Sequence, residues 1–163
     1  MDANEVLRTT MSLSSMVLTS YLKDLSDAEL MHRPAPGCNH LAWQLGHLIS
    51  SECGLLNGLC PGAAPELPAG FEKNHSKEAK DSDDPKQFCT KAEYLSLHEK
   101  VRVATEKELA QQSAADFDKP APENWRQMFP RAGDIWCLIA THGLMHAGQF
   151  VPVRRALGKP VVI

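Results

Sequence analysis

The sequence predicts an all-α fold, a four-helix bundle with long crossover connections. Three observations carry that prediction. Four segments place apolar residues three or four positions apart, the spacing that lines one face of a helix. No stretch alternates apolar and polar residues for long enough to suggest a strand. Two long polar, proline-containing stretches separate the second segment from the third and the third from the fourth, so the helices need not follow a simple up-down-up-down order. The 163 residues, 43% of them hydrophobic, fit one domain with one core, residues 1–163.

The first helix is expected from about Asn4 to Leu25, with Leu7, Met11, Ser14, Leu18, Tyr21 and Leu25 on one stripe. Turn material, Arg33-Pro34-Ala35-Pro36-Gly37, follows it. The second begins near Asn39, a good N-cap residue, and turns Leu41, Leu45, Leu48, Ile49 and Leu56 towards a core. Trp43 and His47 lie four apart on an adjoining face, and Gly58 and Pro61-Gly62 stop the helix. Pro61 to about Gln87 reads as a long loop over the bundle with room for one short helical turn. The third helix runs from about Thr90 to Gln112 and is half exposed, with Tyr94, Leu97, Val101 and Ala104 at helical spacing. A second irregular stretch, Ser113 to Gly133, holds three prolines. The fourth helix runs from near Asp134 to about Ala156. Its apolar first half, Ile135 to Ala140, should be the most buried element, and Cys137 is expected in the core. Pro152 removes one backbone donor near its end, and Gly158 follows it as a terminator.

Composition excludes several classes. Lys plus Arg is 17 and Asp plus Glu is 20, a net charge of -3, which argues against general nucleic-acid binding. No apolar run approaches the roughly 20 residues that cross a bilayer. Met1 to Arg8 carries Asp2 and Glu5 and lacks the basic start of a secretory signal. The five cysteines are odd in number with no C-x-x-C spacing, which argues against a disulfide framework and for a reducing, cytoplasmic setting.

The sharpest chemical signal is His142-Gly143-Leu144-Met145-His146. Histidines four apart leave the same face of a helix, their Cβ atoms roughly 5–6 Å apart. Two such imidazoles can close on one divalent ion at about 2.0–2.1 Å each. Gly143 and Gly148 remove bulk beside them, and Gln149 lies one turn on. The pattern is not the H-E-x-x-H of zinc peptidases, because Gly143 stands where the general-base glutamate belongs. His47, inside the apolar second helix beside Gly46, is the best third ligand. His40 reads as a capping or mouth residue, His98 as solvated, and His32 and His75 as loop residues without a role. Trp43 and Trp136 read as core or pocket wall. Arg154 and Arg155 cluster at the end of the fourth helix. There they either complement the helix dipole or anchor the carboxylate of a bound thiol or substrate.

The segments Asn39-His40-Leu41-Ala42-Trp43-Gln44-Leu45-Gly46-His47-Leu48 and His142-Gly143-Leu144-Met145-His146-Ala147-Gly148-Gln149, with the ending Leu157-Gly158-Lys159-Pro160, resemble the DinB/YfiT-like superfamily. The resemblance implies a four-helix bundle with a three-histidine site, one histidine from the second helix and two from the fourth. These map onto His47, His142 and His146. It also implies zinc or nickel as the divalent metal, and relatives that use low-molecular-weight thiols such as mycothiol, bacillithiol or glutathione, maleylpyruvate isomerases among them. Some relatives carry an acidic residue four after the first histidine; here Ser51 stands there and Glu52 follows. A homodimer would be in keeping with the resemblance.

Three functions follow as expectations. A thiol-dependent transferase would act on a small electrophilic substrate. A metal-dependent hydrolase would need a base, for which Glu52 and Asp134 are the candidates. A non-catalytic, stress-related metal-binding bundle would show no turnover.

Overall fold

A computed structural model describes residues 1–163. Seven α-helices run in the order α1 (Ala3–Leu22), α2 (Asp27–Leu30), α3 (Leu41–Leu59), α4 (Phe71–Asn74), α5 (Lys91–Leu109), α6 (Ala114–Phe117) and α7 (Ala132–Ala156). The chain is all-α, as expected. Four helices are long, 20, 19, 19 and 25 residues for α1, α3, α5 and α7, and they correspond to the four expected segments. The strand-like element is a single antiparallel bridge between Pro120 and Arg131. No helix is long and apolar enough to cross a membrane.

Local chemistry sets the helix starts. Asp2, Ser26 and Thr90 each accept from the backbone N–H three residues on, while a glutamate there reaches back to the cap. Each such capping box satisfies two backbone donors that the first turn leaves free. Gly158, at φ 69°, takes the left-handed conformation just past α7.

The stripe expected on α1 is the buried one: Leu7, Met11, Ser14, Leu18, Tyr21 and Leu25 are all buried. The helix itself stops at Leu22, and the turn after it carries Leu25 into the core. α1 packs chiefly on α7, and α3 packs on α5 and α7. Gly143 of α7 lies against Ser14 of α1. A Cβ there would sit 2.6 Å from Ser14 Oγ, so only glycine fits this approach. Gly148, by contrast, faces open space.

Four expectations need correction. The stretch after α3 is not a bare loop: it forms α4 and two 3₁₀ turns, Lys77–Ala79 and Pro85–Gln87. His75 is no idle loop residue. It is 2% exposed, donates from Nδ1 to Phe71 O at 2.7 Å and accepts the Tyr94 hydroxyl at Nε2 at 2.7 Å. Its ring fills the space over Gly46, where a Cβ would lie 2.0 Å from His75 Cδ2. His98 is half-buried between α5 and the core rather than solvated. Cys137 is exposed, because the outer face of α7 near its start meets solvent even where the sequence is apolar.

Candidate metal centre

α3 contributes His47 and α7 contributes His142 and His146. Their ligand nitrogens lie within 4.8 Å of one another. The ring centroids are 5.4 Å apart for His47 and His142, 5.3 Å for His47 and His146, and 4.9 Å for His142 and His146. The helical spacing explains the convergence. His142 and His146 share a face one turn apart, and His47 sits opposite on the helix that packs against it.

The three rings lie at the edge between core and solvent. His146 is 6% exposed, while His47 and His142 are half-buried. Along α3, His47 continues into Ser51, Gly54 and Gly58, which are half or fully exposed. Along α7 the exposed residues are Thr141, Met145 and Gly148. The triad therefore lies where the two helices meet, with two of its three rings partly exposed. A surface hollow of about 710 Å³ along α1, lined by Arg8, Thr9, Ser12 and Leu13 among others, holds none of these histidines. Chemistry, not volume, marks the site.

Neighbouring side chains fix the rings. His146 Nδ1 is 3.0 Å from Gln44 Oε1. The Gln44 amide nitrogen donates to Asn39 O at 3.1 Å, so the amide oxygen is the one that faces the ring. His146 thus donates from Nδ1 and keeps a lone pair on Nε2. The His47 ring stacks on Trp43, centroids 5.0 Å apart and planes within 4°. Trp43 is held in turn by its Nε1–H donating to Ser76 O at 2.9 Å. His40, rather than Asn39, is the N-cap of α3, one of the two roles considered for it: its Nδ1 accepts from Trp43 N at 3.0 Å.

All three histidines resist protonation. Burial is the main cause, and the neighbouring imidazoles add to it for His142 and His146. His142 is pushed down to about 4 and His146 to about 3. His47 is also lowered, by burial and then by the Lys77 ammonium. The site at neutral pH is a cluster of three neutral imidazoles, the protonation state a metal ligand requires.

The other candidates lie elsewhere. Arg154 is 1% exposed, and its guanidinium donates to Asp24, Tyr21 O and Pro160 O. That network ties the end of α7 to the end of α1 and leaves no free fork for a ligand carboxylate, which corrects the anchoring role considered for it. Arg155 is exposed, about 13 Å beyond His146 along the helix axis at 1.5 Å per residue. Asp134 bonds the backbone N–H of Arg131 at the start of α7, about 12 Å from His142 by the same rise. Glu52 is buried behind His142 and pairs with Arg102, 2.9 Å away.

Sequence reasoning missed Gln44, Arg102 and Thr105. Gln44 carried a readable signal, as the one polar side chain between His40 and His47 in an otherwise apolar run. Arg102 and Thr105 carried none, being ordinary residues in a charged helix.

The family profile of the DinB superfamily matches residues 11–150, a span that contains all three histidines. A crystal structure described as a conserved protein of locus from Enterococcus faecalis superposes with a TM-score of 0.74 at 17% identity, covering 98% of this chain and 99% of that one. That likeness speaks for the fold alone. No curated protein is detectably similar in sequence.

Proposed function

This chain belongs to the DinB superfamily, and on that premise we propose that it binds one divalent ion, zinc or nickel, through His47, His142 and His146. We further propose that it works as a thiol-dependent transferase on a small electrophilic substrate. The observation that carries the reading is the convergence of three neutral imidazoles, their nitrogens within 4.8 Å, two of them partly exposed.

The donor set fits such an ion. Imidazole suits zinc and nickel. A tetrahedral ion with bonds of about 2.0–2.1 Å separates its ligand atoms by about 3.4 Å, so small ring rotations suffice to close the triad. Three protein ligands leave a fourth position open, as catalytic sites do. When bound, the ion supplies a lowered pKa for a thiol or water at that position.

The chain's own residues do the rest. Gln44 holds the His146 tautomer, and Trp43 holds the plane of His47. His47 and His142 are half-buried, so the triad is not sealed in the core. The net reaction joins the thiol sulfur to an electrophilic carbon while that carbon's bond to its leaving group breaks, and the leaving group departs with the bonding electron pair and takes up the thiol proton. The two carboxylates that were candidates for a hydrolase's base are both engaged, Glu52 with Arg102 and Asp134 at a helix start, which favours the thiol over the water reading.

The test is elemental mass spectrometry on untagged protein purified without chelators, alongside His47→Ala and His142→Ala. Loaded protein is then assayed with glutathione, bacillithiol or mycothiol against a panel of electrophiles. About one ion per chain, lost in both variants, with thioether formation that needs the thiol, is the expected result. No ion after reconstitution overturns the metal reading. A bound ion with no thiol-dependent product overturns the transferase reading.

A further inference from the structure

Behind the triad, His142 borders a small cavity of about 10 Å³ between α3, α5 and α7. Its polar walls are Glu52, Arg102 and His98. Glu52 and Arg102 form a buried ion pair, Arg102 Nη2 to Glu52 Oε2 at 2.9 Å, with side chains 9% and 10% exposed. The Thr105 hydroxyl lies 2.7 Å from Glu52 Oε1 and 3.0 Å from Val101 O, and shares its hydrogen between them. One half of the guanidinium is thus engaged. The other half is not: Nε and Nη1 are buried without an acceptor.

Two charged N–H groups without partners in the interior of a bundle are unfavourable, and native proteins satisfy such groups with protein or with water. A cavity of about 10 Å³ is the size of one water molecule. Arg102, Glu52 and His142 all line it, so one water there would have a guanidinium and a ring N–H to accept from and a carboxylate to donate to.

We propose that Glu52 and Arg102 are positioning residues for the metal centre, acting on His142 through one water held in this cavity. The inference rests on the reading of His47, His142 and His146 as metal ligands. It gives His142 what Gln44 gives His146. Histidine ligands nearly always donate their second N–H to an oxygen acceptor, which fixes the tautomer and raises the basicity of the ligating nitrogen. The arrangement also accounts for an ion pair buried one turn beyond His47, where an apolar pair would pack as well. Arg102 and His98 also line a groove of about 500 Å³ between α1 and α5, so the same two side chains separate the cavity from solvent on that side.

The experiment titrates Co²⁺ into the full chain, as wild type and as Glu52→Gln, with a chelator as competitor. The visible ligand-field spectrum and the thermal unfolding of the metal-free protein are recorded beside it. Glu52→Gln keeps the shape and removes the charge. The expected result is a metal-free protein that still folds, a Co²⁺ Kd raised by about 10–100-fold, and shifted ligand-field bands. If Glu52→Gln does not fold, Glu52→Leu/Arg102→Met removes both charges together, so that neither is buried alone, and the same rise in Kd is expected. An unchanged Kd and spectrum in a folded variant, with wild type binding normally, overturns this inference alone. A wild type that binds no Co²⁺ overturns the metal reading beneath it.

Discussion

Gln44 decides which nitrogen of His146 is free. Its amide oxygen takes the Nδ1 proton, so the Nε2 lone pair points at the triad. Gln44→Met, similar in volume, removes that acceptor and leaves the packing largely in place. The expected outcome is a Zn²⁺ Kd raised by about 10–100-fold, measured by chelator competition, with little change in the unfolding midpoint. Legibility at this scale was uneven. His142 and His146 were readable because helical spacing alone puts them on one face, and His47 because it interrupts an apolar run. Glu52 was singled out, but its meeting with Arg102 and His98 was not readable, because it depends on how α3, α5 and α7 pack, and no local pattern encodes that. Arg154 shows the same limit from the other side. Its place at a helix end suggested a free cation, while Asp24, 130 residues earlier, is its partner.

The most extensive helix contact is between α1 and α7. Ser14 Oγ stands 2.6 Å from where a Cβ of residue 143 would be, and Ser14 Cβ stands 3.9 Å away. The clash thus lies in the hydroxyl alone. Gly143→Ala is expected to destabilise the protein by about 1–3 kcal/mol through overpacking. Ser14→Ala in the same chain is expected to restore most of that, because the remaining contact is an ordinary one. Urea unfolding of the two single variants and the double variant measures the coupling. Strict additivity would mean that the hydroxyl is not what excludes a side chain at 143. The elements themselves were legible: α7 ends at Ala156 and α5 is capped by Thr90, both as the sequence indicates. The connection after α3 was less so. Its order comes from long-range bonds, Trp43 Nε1 to Ser76 O and Arg33 to the carbonyls of Lys80 and Ser82, rather than from its own composition.

Across the whole molecule, buried neutral histidines set the response to acid. Burial lowers His98 and His142 to about 4 and His146 to about 3, and lowers His40, His47 and His75 as well. The unfolded chain takes up these protons near pH 6.5 and the folded chain does not. Their contribution is therefore complete above about pH 6.5 and is lost as pH falls towards the folded values. Glu52, raised by burial, works in the opposite sense, and one carboxyl does not offset six histidines. Asp24 and Asp134 are lowered, by Arg154 and by the Arg131 backbone N–H respectively, and lose their contribution only at still lower pH. Metal-free protein is expected to lose at least about 1.6 kcal/mol between pH 6.5 and 5, the integrated linkage value for a single histidine held neutral. Urea unfolding at the two pH values checks it. A flat profile would show that the rings titrate normally. Zinc at about 100 times its Kd is expected to add about 2.7 kcal/mol at pH 7, read as a higher unfolding temperature that a chelator abolishes.

The ring of His75 occupies the volume that any side chain at position 46 would need. The two sites are therefore not free to vary independently over evolutionary time. Among the relatives of this chain, those with alanine or anything larger at the position of Gly46 are expected to lack an imidazole at the position of His75, and the glycine is expected wherever that imidazole is kept.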